Sequence, residues 1–260
     1  MRLVTWNVNS LTARLEYVTD WMGTEQPDIL CLQETKQSDA AFPDGAFAAL
    51  GYETAHHGDG RWNGVAIISR VGLEDPVAGF STEEDDQGTR IIAATCAGIR
   101  VHSVYVPNGR SVDSEHYTGK LAWLARLATY LDETCTPSDP VAVVGDFNIA
   151  PSDVDVWDPE AFAGMTHVSE PERAALGRLL EWGLDDVFTR FHPDGEVFSW
   201  WDYRMGAFHK GHGMRIDLVL LTDPLADRCR SAAVDREARK NRAGNKPSDH
   251  APVVVDLDVD

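Results

Sequence analysis

The chain has 260 residues, 43% hydrophobic and 25% charged, with a formal net charge of -19 and a pI near 4.7. That length and composition suit a single globular domain over 1–260 with a sizeable core. No apolar stretch approaches the roughly 18 residues that span a bilayer, and the acidity argues against an indiscriminate nucleic-acid binder, a class that is usually basic.

In chain order, "RLVTWNVN" opens as a strand that ends in polar Asn7 and Asn9, with no signal-peptide core before it. A helix is expected from Leu11 to about Met22, then a strand in "PDILCLQET" that ends at Glu34. "GVAIISR" is a further strand, and "TRIIAATCAGIRVHSVYV" is a hairpin turning at Ala97-Gly98, whose second arm runs on to Asn108. The segment 114–134 places Leu121, Leu124, Leu127, Ala128 and Leu131 on one helical stripe. "PVAVVGDFN" is a strand ending at Asp146 and Asn148, and 172–183 is a helix with Gly183 as its C-terminal stop. "GMRIDLVLLT" embeds Asp217 in a strand, and "SDHAPVVVDL" sets Asp249 and His250 just before the last one. Hairpins mixed with crossovers imply an α/β fold: a four-layered α/β sandwich, two mixed β-sheets packed together with helices on the outer faces.

The recurring unit is an apolar strand with a polar end. Alone, Glu34 reads as an exposed carboxylate at a strand-to-loop junction. Yet Asn7, Asn9, Asp146, Asn148, Asp217 and Asp249 share that kind of position, and carboxylates with amides suit a hard cation, Mg²⁺ or Mn²⁺. In "GDFN", Gly145 permits a close approach, and Asp146 and Asn148 share one side of an extended chain, where one accepts a proton from water and the other orients it. An Asx-turn would use the same four residues. Asp249 and His250 are neighbours, so on a strand they face opposite ways; Asp249 then orients a different histidine unless the pair lies in a turn. There is no G-x-S-x-G elbow around Ser248 and no P-loop. Cys31, Cys96, Cys135 and Cys229 lack C-x-x-C spacing and read as reduced thiols of a cytosolic protein. Charge is unevenly spread: residues 74–88 hold six acids and no base, whereas 236–246 hold five bases and one acid. A basic patch at one mouth steers an anionic substrate there.

Taken together, "WNVNS", "LQETK", "GVAI", "YVPNG", "GDFN", "FSWWDYR", "GMRIDLVL" and "SDHAPV", in that order, resemble the exonuclease III/class II AP endonuclease family of the endonuclease–exonuclease–phosphatase superfamily, from Leu3 to about Val255. The resemblance implies the four-layered sandwich and a Mg²⁺- or Mn²⁺-dependent phosphodiesterase that incises duplex DNA 5′ to abasic sites and trims 3′ ends. It implies Glu34 as the principal metal ligand with Asn7 and Asp249 beside it, and Asn9 bridging to the metal through water. Asp146 would prepare the attacking water and Asn148 hold water or phosphate. His250 would contact a non-bridging oxygen, buttressed by Asp217, and Tyr105, supported by Asn108, would stabilise the phosphate or the leaving oxygen. Trp200, Met214 and Ile216 would line a pocket for a flipped-out base-free sugar, although Met214 stands where some relatives carry an aromatic.

Arg204, Lys210 and Arg215 are candidate backbone-phosphate contacts, and Arg110 a candidate groove-inserting side chain. Arg239, Lys240 and Arg242 would form a rim holding duplex backbone beside His250. The expected partner is double-stranded DNA with abasic sites or 3′ ends, the expected state a monomer without membrane contact, and the expected location the cytoplasm, at the nucleoid when acting on DNA. Two other readings compete: a phosphatase or phosphodiesterase on small phosphoesters or lipid headgroups, which the acidity favours, and a catalytically dead DNA-binding module, which the intact acid, amide and histidine set opposes.

Overall fold

The computed structural model describes residues 1–80, 88–240 and 246–259. Its strands are β1 (Arg2–Asn7), β2 (Ile29–Gln33), β3 (Glu53–His57), β4 (Val65–Ser69), β5 (Glu74–Ala78), β6 (Ile91–Cys96), β7 (Ile99–Tyr105), β8 (Val141–Asp146), β9 (Leu184–Asp186), β10 (Asp217–Thr222), β11 (Cys229–Val234) and β12 (Val253–Leu257). They form two six-stranded sheets, ordered β11-β12-β1-β2-β4-β3 and β5-β6-β7-β8-β10-β9. Each sheet has one parallel pair, β1 with β2 and β7 with β8, and antiparallel neighbours elsewhere. Read from opposite ends, the two sheets have the same sequence of strand senses.

Side-chain alternation builds the layers. In β1, Leu3 points into the core between the sheets, while Val4 and Trp6 pack outward on Val18, Trp21 and Met22 of the Leu15–Glu25 helix. In β8, Ala142 and Val144 face inward, and Val141 and Val143 pack on Leu124, Leu127 and Leu131 of the Glu115–Thr134 helix and Leu179 of the Glu170–Trp182 helix. The four-layered α/β sandwich is therefore present. One polar knot lies inside the apolar interior: Gln33 Nε2 donates to Thr5 Oγ1 at 3.0 Å and across the sandwich to Ser103 Oγ at 3.2 Å. A fully satisfied buried network fixes how two sheets sit on each other.

The local signals act as expected at several points. Ala97 and Gly98, at φ 47 and 76, make the two-residue turn between β6 and β7. Ser169 and Glu172 form a capping box ahead of the Glu170–Trp182 helix, which stops at Gly183 (φ 124). The first helix differs from expectation, beginning at Leu15 rather than Leu11. The Leu11 amide donates to the Thr35 carbonyl at 2.9 Å and its carbonyl closes a tight turn with the Arg14 amide at 2.9 Å, so the helical ladder opens only with Val18 on Arg14. No helix among the described residues is long and apolar enough to cross a membrane.

Candidate active site

Strand direction decides where the polar ends go. β1, β2, β7 and β8 deliver their C-terminal ends to one rim, and the antiparallel β10 and β12 start there. Asn7 closes the rim between the sheets: its Nδ2 donates to Glu34 Oε1 and to Asp146 Oδ2, both at 2.9 Å. Gly145 lets β8 lie against β7, since a Cβ there would fall 1.9 Å from the Val104 carbonyl oxygen. Asn9, Glu34 and Asn148 sit at φ 43, 50 and 50. Asparagine tolerates that region, whereas for glutamate it stores strain of about 1–3 kcal/mol, a feature concentrated at functional sites.

Around Glu34 the structure gathers Tyr105, whose hydroxyl donates to Oε1 at 2.9 Å, and Lys36, whose Nζ lies 2.9 Å from Oε2 and 2.6 Å from Asn9 Oδ1. Asn9 Nδ2 reaches Asp249 Oδ1 at 2.9 Å, and Trp200 Nε1 reaches Asp249 Oδ2 at 3.2 Å. Burial opposes the Asp249 charge, but nearby His250 and those two donors hold its pKa below the usual value. Burial, then the charges of Glu34 and Asp146, push the Tyr105 phenol well above its ordinary range, so it stays a protonated donor.

His250 forms the second half. Its Nδ1 lies 2.8 Å from Asp217 Oδ2 and its Nε2 3.8 Å from Asp146 Oδ2. Burial disfavours the imidazolium, yet Asp217 and Asp146 outweigh it and raise the pKa to about 10. Burial raises Asp146 to about 7 against the opposing pull of His250. The partner of His250 is thus Asp217, not its sequence neighbour Asp249. Ser248 is structural: its Oγ donates to the Asn7 carbonyl at 2.7 Å.

Asn148 is held on every side. Its amide donates to Asp146 Oδ1 at 2.8 Å and its Nδ2 to the Val106 carbonyl at 2.9 Å, while its Oδ1 faces Asn108 Nδ2 at 3.0 Å and His167 Nε2 at 3.2 Å. Below, fully buried Lys120 donates to the Asn148 carbonyl at 2.6 Å and pairs with fully buried Glu172.

A protonated imidazole between two carboxylates, beside a third carboxylate fastened by an amide, an ammonium and a phenol, is arranged to neutralise an anion while a base takes a proton from water. The comparisons agree with that chemistry. Residues 4–250 match the model of the Endonuclease/Exonuclease/phosphatase family. The chain belongs to that family. It is 35% identical to exodeoxyribonuclease III of Haemophilus influenzae over 97% of this chain and 98% of that one. Among solved structures it is similar to an AP endonuclease from Archaeoglobus fulgidus (TM-score 0.95, 40% identity) and to the 3′-5′ exonuclease NExo from Neisseria meningitidis (TM-score 0.94, 39% identity), each covering all of both chains. Within the endonuclease/exonuclease/phosphatase family it is of the exonuclease III and AP endonuclease type, a phosphodiester hydrolase.

The donor set fits the metal that this type of family member depends on. Glu34, Asp146 and Asp249 bring three carboxylates to one rim, each held by an asparagine side-chain NH₂ donor, and their oxygens are hard ligands. Asp146, Asp217 and His250 also lie within 4.8 Å of one another. The raised pKa of His250 keeps protons on the ring between those two carboxylates, which makes that triad a poor seat for a cation.

The expected DNA-contacting residues divide. Trp200 packs with buried Met214 and Ile216 and with Val156, forming an apolar wall beside Asp249. Arg110 (φ 56) is exposed two residues after Asn108. Exposed Arg204 pairs with Asp202 at 2.7 Å, exposed Lys240 pairs with Glu237 at 2.6 Å, and Lys210 ends a short helix on the surface. Arg215 must be corrected: it is 1% exposed and clamps Asp155 at 2.7 Å and Asp186 at 2.8 Å, so it cannot meet a backbone phosphate. Arg239 is 7% exposed, donates to the Trp201 carbonyl at 3.2 Å and lies between the rings of Tyr203 and Phe208. Arg242 lies outside the described residues.

Lys36, Lys120, Glu172 and His167 were not singled out from sequence. Lys36 stands in the quoted "LQETK". Lys120 sits on the buried stripe Tyr117, Lys120, Leu124, Leu127, Leu131, so a charge at an apolar helical position was the available signal. His167 lies in irregular chain, where no periodicity marks it.

Proposed function

We propose that the chain is a divalent-metal-dependent DNA phosphodiesterase of base excision repair, which incises duplex DNA 5′ to abasic sites and trims 3′ ends. The observation that carries this reading is His250, locked on Asp217 and aimed at Asp146, beside the Glu34 knot. The likeness over full length to an exodeoxyribonuclease III supports the substrate class.

Glu34, with Asn7 and Asp249 and with Asn9 behind them, would hold Mg²⁺ or Mn²⁺. Bound there, the ion supplies Lewis-acid neutralisation of phosphate charge. Asp146 in its carboxylate form takes the proton from the attacking water, and Asn148, fixed through Asp146 Oδ1, orients that water. His250 as a cation donates to a non-bridging oxygen, and the protonated Tyr105 donates to the phosphate or the leaving oxygen. Each such donor contributes about 2–4 kcal/mol when aimed at the charge that develops in the transition state. Half-buried Trp200, backed by buried Met214 and Ile216, would present the apolar surface that meets a base-free sugar, which has little stacking to lose on extrusion. The protein would act as one catalytic domain and as a monomer in the cytoplasm, on duplex DNA with abasic sites or 3′ ends.

The test uses a duplex with one tetrahydrofuran abasic analogue, a duplex with a 3′-terminal phosphate and a small phosphomonoester, each with Mg²⁺ and then EDTA. Hydrolysis of either duplex that EDTA abolishes is expected. Turnover of the small ester alone would overturn the DNA reading, and activity unchanged by EDTA would overturn the metal.

A further inference from the structure

Behind Glu34 runs a chain of hydrogen bonds that leads away from the rim. His56, on β3, turns Nδ1 to Asp39 Oδ1 and Nε2 to Thr35 Oγ1, each at 2.8 Å. Carboxylate, imidazole and hydroxyl stand in the order of a hydrolytic triad. Yet Thr35 is fully buried, so its hydroxyl meets no substrate. What the hydroxyl does hold is its own backbone, which joins two side chains of the rim.

Thr35 lies between Glu34 and Lys36, at φ 50 and 53. L side chains adopt that region only where surrounding contacts impose it. The turn brings the two side chains together, with Lys36 Nζ 2.9 Å from Glu34 Oε2. Part of the grip is backbone: the Thr35 amide donates to the Gly64 carbonyl at 3.1 Å, and the Thr35 carbonyl accepts from the Leu11 amide at 2.9 Å. Gly64 leaves room for the hydroxyl, since a Cβ there would fall 2.2 Å from Thr35 Oγ1. The imidazole is itself fixed. Its side chain is 4% exposed and stacks on Phe42 with ring centres 4.2 Å apart, while Asp39 Oδ1 also accepts from the Gly58 amide at 2.7 Å. Burial lowers the His56 pKa against the pull of Asp39. The neutral ring then donates from Nδ1 to Asp39 and accepts the Thr35 hydroxyl at Nε2.

We infer that His56, oriented by Asp39, is a positioning residue for Glu34: by holding the Thr35 hydroxyl it fixes the turn that presents the Glu34 carboxylate, and so sets how tightly the rim takes a divalent cation. The inference rests on the proposed seat of the metal at Glu34. An imidazole serves here because its two nitrogens tie the turn after β2 at once to β3 and to the short Asp39–Ala41 helix.

The experiment measures Mn²⁺ binding to the metal-free protein by the loss of the free-ion electron spin resonance signal. The Mg²⁺ dependence of duplex hydrolysis and the melting temperature are measured alongside, for wild type, His56→Asn, His56→Gln and Thr35→Val. An asparagine amide replaces Nδ1 toward Asp39 but does not reach Thr35, whereas a glutamine amide reaches Thr35 in place of Nε2. Thr35→Val keeps the branched shape and removes the hydroxyl. His56→Asn and Thr35→Val are expected to weaken Mn²⁺ binding about 5–10-fold, the worth of one hydrogen bond, with His56→Gln near wild type. Half-saturating Mg²⁺ should rise by the same factor, while turnover at saturating Mg²⁺ stays within about 2-fold of wild type. Combining His56→Asn with Thr35→Val should add nothing further, because both break one contact. Lower melting temperatures with wild-type Mn²⁺ affinity in both variants would make the chain merely structural and overturn the inference. Equal weakening in His56→Gln would overturn Thr35 as the route. Wild-type protein that binds no Mn²⁺ would remove the metal seat and the inference together, whereas normal wild-type binding with unshifted variants removes the inference alone.

Discussion

His250 Nδ1 lies 2.8 Å from Asp217 Oδ2, and this contact sets the charge of the imidazole that faces Asp146. In the proposed mechanism Asp146 works as a carboxylate, so activity is expected to rise with pH through about 7, its raised pKa. In the same mechanism His250 works as a cation, so activity is expected to fall above about 10. Asp217→Asn removes the anion that retains the proton and moves the alkaline limb down by more than one pH unit. Turnover against pH at saturating metal measures this, and an alkaline limb that stays in place would contradict the role given to Asp217.

The Lys120–Glu172 pair underlies Asn148, Thr166 and His167 at once. Glu172 Oε1 accepts from Thr166 Oγ1 at 2.9 Å and from the His167 amide at 3.0 Å, while Lys120 holds the Asn148 carbonyl. Glu172→Gln leaves a buried ammonium unpaired and is expected to cost about 3–5 kcal/mol in urea unfolding. The double replacement Lys120→Met with Glu172→Leu should regain only part of that stability, because Thr166 Oγ1, the His167 amide and Ser169 also lose their acceptor. It should not regain turnover, because the Asn148 carbonyl still lacks its donor. Full recovery of both would reduce the pair to a filler of space.

Arg215 distinguishes an internal clamp from a phosphate contact. Arg215→Met strands Asp155 and Asp186 in the interior and is expected to destabilise the fold by about 3–5 kcal/mol. The salt dependence of DNA binding should be unchanged, measured at a temperature where the variant is folded. A lower salt slope would restore the contact expected from sequence.

His102 carries an acid sensitivity apart from catalysis. It is fully buried on β7, and burial, with Arg100 adding to it, lowers its pKa to about 3 against a weak opposing contact with the Ala142 backbone. Below pH 6.5 the unfolded chain takes up a proton at this position that the folded chain refuses. Stability is therefore lost as pH falls from 6.5 toward 3, by about 3 kcal/mol at pH 4. His102→Leu should remove that part of the slope in urea midpoints measured from pH 7 to pH 4; an unaltered slope would place the acid lability elsewhere.

What the sequence revealed and concealed follows from position in the sheets. β1, β2, β4, β6, β7, β8, β10 and β12 lie inside the two sheets and show as runs of Val, Ile and Leu with polar ends. β3, β5, β9 and β11, which the sequence reading did not find, are the four sheet edges. An edge strand has one neighbour and stays polar to discourage further pairing, as in "ETAHH" and "EDPVA", so its conformation is imposed by the strand beside it. The site followed the same rule. Residues on interior strand ends, such as Glu34, Asp146 and Asp217, were visible because an apolar run points at them. The burial of Arg215 and Arg239 was not visible because a charge in a sequence carries no sign of whether its partner is solvent, a buried carboxylate or an aromatic ring. His167 depends on contacts between distant segments that no local pattern encodes.

The central claim is that one rim divides its work between a metal held at Glu34 and a base at Asp146. A Mg²⁺ titration of duplex hydrolysis by wild type, Glu34→Ala and Asp146→Asn tests it most directly. Glu34→Ala should lose activity at low Mg²⁺ and recover part of it at high Mg²⁺, whereas Asp146→Asn should be reduced by at least about 100-fold at every concentration. Equal losses in both variants, independent of Mg²⁺, would contradict the division of roles.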